Sequence, residues 1–176
     1  MLKIIGIVIA LVIAGILIVA AMQPDTFRLE RKATIKATPD KIFAILNDFK
    51  QWAAWSPWEK KDPAMKRTFG AVTAGKGATY KWEGNKEVGQ GGMEITDAAV
   101  PNKLAIALSF IKPFEAQNTV NFTLTPAADA TEVAWSMEGK SNFISKIMCL
   151  FMSMDKMVGP DFEAGLANLK AVAEKP

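Results

Sequence analysis

The order of apolar and polar positions divides the chain into an apolar segment, alternating strand patterns and amphipathic helices. Residues 4–22, IIGIVIALVIAGILIVAAM, contain no charged side chain. In residues 27–37 the apolar side chains Phe27, Leu29, Ala33, Ile35 and Ala37 share one face and polar side chains share the other, which is typical of a half-buried strand. Thr38 as an N-cap and Pro39 at the first helical position then predict a helix that ends near Asp48.

The rest of the chain alternates like a sheet and then becomes helical. Strands are predicted at 66–70, 78–84, 92–98, 103–110, 118–126 and 131–139, separated by glycines and prolines. Ser141 or Asn142 is expected to cap a helix that runs to about Met157. Gly159-Pro160 is expected to break or kink it before a second stretch begins. The pattern predicts an α+β fold in which a long C-terminal helix covers the apolar face of an antiparallel sheet.

The first apolar segment is long enough to cross a membrane. As a helix, residues 4–22 would span roughly 28 Å at about 1.5 Å per residue, close to the ~30 Å hydrocarbon core. A cleaved signal peptide is the alternative, although its apolar region is usually only about 7–15 residues long. We therefore expect residues 1–24 to form an uncleaved single-span anchor and residues 25–176 to form one ligand-binding domain.

The orientation of this anchor follows only weakly from charge. Lys3 and the amino terminus flank one side of the apolar segment, and Arg28, Arg31 and Lys32 flank the other. The positive-inside count is therefore nearly balanced or leans against export. The general habit of short-tailed N-terminal anchors favours an extracytoplasmic domain, and this is the location we expect.

Composition excludes several functions. Lys3 is the only one of the 21 lysines and arginines that precedes residue 25, and the others nearly balance 18 acidic residues, which argues against a nucleic-acid binder. The chain has no histidine, the commonest general base and metal ligand. Cys149 lies in an apolar run and is expected to be an inert thiol. Residues 70–76 imitate a phosphate loop, but Gly77 replaces its Ser or Thr. We expect no cofactor, no metal site and no assigned catalytic residue.

Several motifs spread over residues 27–173 match one known family. The most specific are WSPW at 55–58 and MVGPDFEAGL at 157–166. They resemble the polyketide cyclase/dehydrase branch of the START-like helix-grip superfamily (SRPBCC). The resemblance implies a curved antiparallel sheet of about seven strands wrapped on a long C-terminal helix, with a ligand gap between them. It implies no particular reaction, because the superfamily includes lipid carriers, hormone receptors and cyclases.

The tryptophans allow three interpretations. Trp52, Trp55 and Trp58 are three residues apart and therefore share one side of a helical turn. They pack a core, line a pocket or form a membrane-interface belt. The core is the leading interpretation for Trp52 and Trp135. The candidate ligand-binding residues are Trp55, Trp58, Phe69, Trp82, Phe110, Phe114, Trp135, Met148 and Met152.

Three functions follow from these expectations. The favoured one is a membrane-anchored binder of a hydrophobic small molecule or lipid, held in a cavity between the sheet and the C-terminal helix. The first alternative is a cyclase- or dehydratase-type enzyme on a hydrophobic substrate, in which an inward-facing Glu94 or Arg67 polarises a carbonyl. The second is a structural or regulatory domain whose cavity is filled. The oligomeric state, the ligand's identity and the question of whether any reaction is catalysed stay open at the level of sequence.

Overall fold

The computed structural model of the protein describes residues 1–175 and follows the predicted order of elements. The helices are α1 (Leu2–Ala21), α2 (Pro39–Leu46), α3 (Pro57–Lys61), α4 (Phe143–Phe151) and α5 (Met154–Ala173), with a 3₁₀ helix over Phe49–Ala54. The strands are β1 (Thr26–Ile35), β2 (Lys66–Phe69), β3 (Thr79–Glu83), β4 (Gln90–Ala99), β5 (Lys103–Lys112), β6 (Ala116–Ala127) and β7 (Ala130–Lys140).

The seven strands form one antiparallel sheet in the order β1-β7-β6-β5-β4-β3-β2. From β2 to β7, strands that are consecutive in the chain are neighbours in the sheet, and β1 completes the sheet beside β7. Side chains on one face, called the inner face from here on, are buried, as Trp135 on β7 and Phe122 on β6 illustrate. The predicted α+β helix-grip architecture is confirmed.

The two ends of the sheet have different neighbours. At one end, Thr26 at the start of β1 pairs with Lys140, and the β5–β6 connection lies beyond the pair Phe110 and Ala116. We call this the α1 end, because α1 leads into β1 here. At the other end, called the far end, Ile35 pairs with Thr131.

The short helix α2 forms where the sequence predicts it. The Thr38 hydroxyl accepts a hydrogen bond from the Lys41 backbone N–H, so it is the N-cap. The four apolar side chains of its stripe, Ile42, Phe43, Ile45 and Leu46, are all buried. Because α2 packs against β6, its apolar stripe helps to seal the core.

Helix α5 is fixed to the sheet by both stacking and charge. The ring of Phe162 stacks on Trp135 with 4.0 Å between ring centroids and 20° between the planes. On β1, Arg31 forms salt bridges with Glu163 and Asp155, both at 2.8 Å. Helix α5 therefore lies along the inner face with Phe162 stacked on the sheet, and its leucines Leu166 and Leu169 are buried as well.

The break between the C-terminal helices differs from the expected one. Helix α4 ends at Phe151, and Ser153 caps α5 by accepting from the Lys156 N–H. Helix α5 then continues through Pro160, so the prediction of a break at Gly159-Pro160 was wrong. A Cβ at Gly159 would lie 2.5 Å from Nη2 of Arg31, the end of a flexible side chain.

Helix α1 stands apart from the core of the protein. Within residues 1–175 it is the one helix long and apolar enough to cross a membrane. Its mean hydropathy over Lys3–Ala21 is 3.2, and only 6% of this apolar stretch is buried. A signal sequence has the same properties.

We predict that Gly165→Ala destabilises the protein although alanine favours helices. A Cβ at this position would lie 2.6 Å from Cζ3 of Trp135. Overpacking of this kind typically costs about 1–3 kcal/mol, and it must exceed the ~1 kcal/mol gained in helix propensity. Urea unfolding of the full chain in detergent measures the change.

The control is Ala164→Gly, an exposed neighbour, which should cost only about 1 kcal/mol. A Gly165→Ala variant that is more stable than the parent would contradict the close packing of α5.

Candidate functional site

The inner face is sealed at the far end and becomes more accessible toward the α1 end. Along β5, Leu104 and Ile106 are fully buried, Leu108 is 9% exposed and Phe110 is half-buried. The neighbouring strand β6 shows the same change at the α1 end, where Asn118, near the start of the strand, is also 9% exposed. The chain therefore leaves an apolar part of the inner face incompletely covered at the α1 end.

The position of α5 leaves one side of the sheet less covered than the other. Helix α5 packs chiefly against β1 and α3, and to a lesser extent against α2 and the 3₁₀ helix. Strands β4, β3 and β2 lie toward the opposite edge of the sheet from β1, and β5 is its central strand. The inner face of these strands is therefore less covered by α5 than that of β1.

Four aromatic side chains follow one another across this side of the inner face, with Tyr80 and Trp82 buried and Phe69 and Phe110 partly exposed. The ring centroids are 5.2 Å apart between Phe69 and Tyr80, 6.2 Å between Tyr80 and Trp82, and 5.8 Å between Trp82 and Phe110. We call these four residues the aromatic row. Trp82 is held by a hydrogen bond from its indole N–H to the Val88 carbonyl at 2.9 Å.

A second group of rings, called the aromatic core, fills the middle of the domain. Trp55 is completely buried, with its ring centroid 5.5 Å from that of Trp135 and 4.8 Å from that of Trp52. The half-buried Trp58 reaches the same group, 5.9 Å from Trp135. Phe122 and Phe162 complete it. The space between α5 and the centre of the sheet is thus occupied by side chains.

The structure divides the nine sequence-predicted site residues into three groups. The aromatic row contains Phe69, Trp82 and Phe110, and the aromatic core contains Trp55, Trp58 and Trp135. The other three, Phe114, Met148 and Met152, are exposed on the connection and helices near the α1 end. The structure does not bring this last group to the inner face.

Sequence reasoning missed Asn118, the buried amide at the accessible end of β6. Its Oδ1 atom is buried and has no hydrogen-bond partner within residues 1–175, while its Nδ2 lies 3.8 Å from Met137 Sδ. A detectable signal existed, because Asn118 is two residues from Val120 and therefore shares its face. A buried acceptor without a partner costs about 1–3 kcal/mol.

The indole N–H groups of Trp55 and Trp135 have the same property. Neither has an acceptor in the described part of the chain, and both are buried. The aromatic rings that surround them stabilise the core through area and edge-to-face geometry but offer no lone pair. The centre of the domain is therefore apolar in its contacts.

A polar cluster borders the aromatic row. Glu59 on α3 accepts hydrogen bonds from the Tyr80 hydroxyl and from Arg67 Nε, both at 2.6 Å. Burial raises the pKa of Tyr80 above its ordinary value near 10, and the hydrogen bond to Glu59 raises it further. Tyr80 is thus a proton donor at neutral pH rather than a base. Glu94, the other candidate from the sequence, is exposed.

Two surface depressions lie at the α1 end, mainly on the outer face of the sheet. Their volumes are about 670 and 620 Å³, and they share Ser109, Gln117 and Lys140. The larger also reaches Asp25 and Asn142. Neither lies in the space between the sheet and the centre of α5, which the aromatic core occupies.

No cluster of three or more acidic, cysteine or histidine side chains suitable for a metal ion occurs within residues 1–175. The inner face has apolar walls and few polar groups.

Comparison with known families decides the classification of this fold. The family model described as polyketide cyclase / dehydrase and lipid transport matches residues 26–174. The chain belongs to this family. Among curated proteins none matches the sequence.

Solved structures share the family's fold at low sequence identity. Protein CV1439 from Chromobacterium violaceum is 16% identical with a TM-score of 0.59, covering 88% of this chain and 100% of that one. Protein jhp0584 from Helicobacter pylori is 13% identical with a TM-score of 0.63, covering 84% and 88%. DynU16, a putative protein in the dynemicin biosynthetic locus, is 16% identical with a TM-score of 0.57, covering 87% of this chain and 48% of that one.

We predict that the only tyrosine of the chain titrates well above pH 10 in the folded protein. Tyr80 keeps its proton where the unfolded chain loses it, so the free energy of unfolding should fall as pH rises above about 10. Tyrosinate absorbance, measured with and without denaturant, reports the difference directly.

Glu59→Gln is the matched variant. Without the carboxylate the pKa of Tyr80 should move back toward its ordinary value while burial keeps it elevated. Identical titrations in the native and unfolded protein would show that Tyr80 is not buried against Glu59.

Proposed function

We propose that the protein is a membrane-anchored binder of a hydrophobic small molecule or lipid, held on the inner face at the α1 end. The observation that carries this proposal is the rise in accessibility along β5 from Ile106 to Phe110. An incompletely covered apolar face attracts an apolar ligand, because covering it removes its surface from water.

The walls of the proposed site are apolar with one polar exception. Trp82, Phe110, Leu108 and the half-buried Met93 would contact the body of the ligand. The Oδ1 atom of Asn118, which has no hydrogen-bond partner within residues 1–175 and lies against Gly139, would turn toward the ligand to accept a hydrogen bond from it. We therefore expect an apolar molecule that carries a hydroxyl or amide N–H group, with Trp55 and Trp135 closing the inner end of its site.

The anchoring part of the proposal rests on α1. Residues 4–22 are exposed along almost the whole helix, which is costly in water and favourable in lipid. We propose that α1 is retained as a single span and that residues 25–176 lie on the extracytoplasmic side. A tether of this length keeps the site next to a reservoir of apolar molecules.

The family supports ligand binding as a class of function. Its description names both cyclase or dehydrase chemistry and lipid transport. The likeness to DynU16 and the pair Glu59–Tyr80 favour a second candidate, a cyclase- or dehydratase-type enzyme in which the Tyr80 hydroxyl donates to a substrate carbonyl. Both oxygens of Glu59 are already paired, so we place this candidate second.

We predict that Met93→Trp abolishes ligand binding because it fills the space beside Leu108, its partner across β4 and β5. The experiment is native mass spectrometry of the full chain, purified from its own cells and released from detergent micelles. The parent protein should carry one bound molecule that the variant lacks.

The matched control is Ala107→Trp, which places the same ring on the exposed outer face one residue from Leu108. Lipids that adhere to α1 should be retained in both variants, so only the molecule lost in Met93→Trp is assigned to the inner face. Equal occupancy in both variants would refute the proposed location.

A further inference from the structure

Helix α4 is apolar but has almost no core to cover. Of its nine residues only Ser145 and Lys146 are polar, yet Lys146 is its one buried residue. The large apolar side chains Phe143, Ile144, Met148 and Phe151 are between 43% and 75% exposed. This is the reverse of an ordinary surface helix, which buries its apolar side chains and exposes its lysines.

The apolar side chains of α4 lie on one side of the helix. At about 100° per residue, Phe143, Ile144, Ile147, Met148 and Phe151 fall within an arc of roughly 140°. Ser145 and Lys146 project from the opposite side. We call the five residues the apolar arc of α4. Its segregation from the polar side indicates a helix that lies between an apolar and a polar medium.

Two contacts set α4 at the level where α1 ends. Helix α4 packs against α1, and the one fully buried side chain of α1 within the described residues, Ala20, lies in its last turn. The Lys146 ammonium forms a salt bridge with Asp25, four residues beyond the end of α1. If residues 4–22 cross the bilayer, α4 is therefore held at its surface.

A second exposed apolar element lies at the same end of the sheet. Ile111 near the end of β5 and Phe114 on the connection between β5 and β6 are about half exposed. This connection extends past the pair Phe110 and Ala116 toward the side where α1 enters β1. It borders the larger surface depression together with Asp25 and Asn142, which precedes α4.

We infer that α4 and the β5–β6 connection form a second membrane contact, in which the apolar arc of α4 is embedded in the headgroup region beside α1. The partner is the lipid bilayer itself. Continuity with α1 selects it, because the apolar arc adjoins the one helix in the described chain that is long and apolar enough to span. The uncovered part of the inner face then opens toward the lipid.

This inference rests on the proposed anchoring by α1, so the test measures both parts. The full chain is reconstituted in phosphatidylcholine–phosphatidylglycerol vesicles, with Cys149→Ser removing the only natural thiol. An environment-sensitive fluorophore is attached through Phe151→Cys, and spin-labelled lipids quench it. Matched attachment sites are Val12→Cys within α1 and Asp129→Cys in the exposed β6–β7 turn at the far end.

The expected result is strong quenching at positions 12 and 151 and none at 129, with position 151 quenched best by labels near the headgroups, roughly 5–10 Å deep. Quenching at 12 without quenching at 151 would overturn the inference and leave the anchor intact. No quenching at 12 would overturn both. Fluorophore shielding at 151 without lipid quenching, accompanied by crosslinks between copies, would overturn it in favour of a second copy of this chain.

All attachment sites are exposed in the folded protein, so labelling should leave the fold intact, and far-UV circular dichroism checks this. Phe114→Cys supplies an independent attachment site on the β5–β6 connection. Its quenching should match that at position 151, and a label there that remains in water would contradict the second half of the contact.

Discussion

The stacking of Trp135 on Phe162 is the contact on which the rest of the structure depends. The rings are 4.0 Å apart, and Gly165 lets the helix backbone approach the same indole. The contact fixes the height of α5 above the sheet. It also occupies the centre of the domain, so that free inner surface is left only toward the α1 end. Arg31 on β1 also joins the sheet to α5 through its salt bridges with Asp155 and Glu163.

Much of the fold could be predicted because its signals are local. Alternation located every strand, and Thr38 with Pro39 located α2. The junction of α4 and α5 could not be located in the same way. Pro160 is a strong local breaker, but α5 is capped at Ser153 and continues through it, with Arg31 bonded to Asp155 before it and to Glu163 after it. Arg31 lies more than a hundred residues before these partners in the chain, and a single sequence gives no measure of such contacts.

The candidate site was predicted less well for a related reason. Composition identified the aromatic residues but did not separate those that fill the core from those that border free space. Trp55 and Trp82 are both tryptophans near a turn, yet one lies in the aromatic core and the other in the aromatic row. Asn118 shows the complementary case, since its face followed from its spacing to Val120 while its missing hydrogen-bond partner is a property of the packed structure.

The central claim is that an uncovered apolar surface of the sheet lies beside a membrane. The most direct test is photolabelling of the full chain in lipid nanodiscs with a diazirine-bearing long-chain fatty acid, followed by peptide mapping. Label is expected on Met93 and on β5 between Leu108 and Phe110, in addition to α1. Label restricted to α1, with none on the inner face of the sheet, would contradict it.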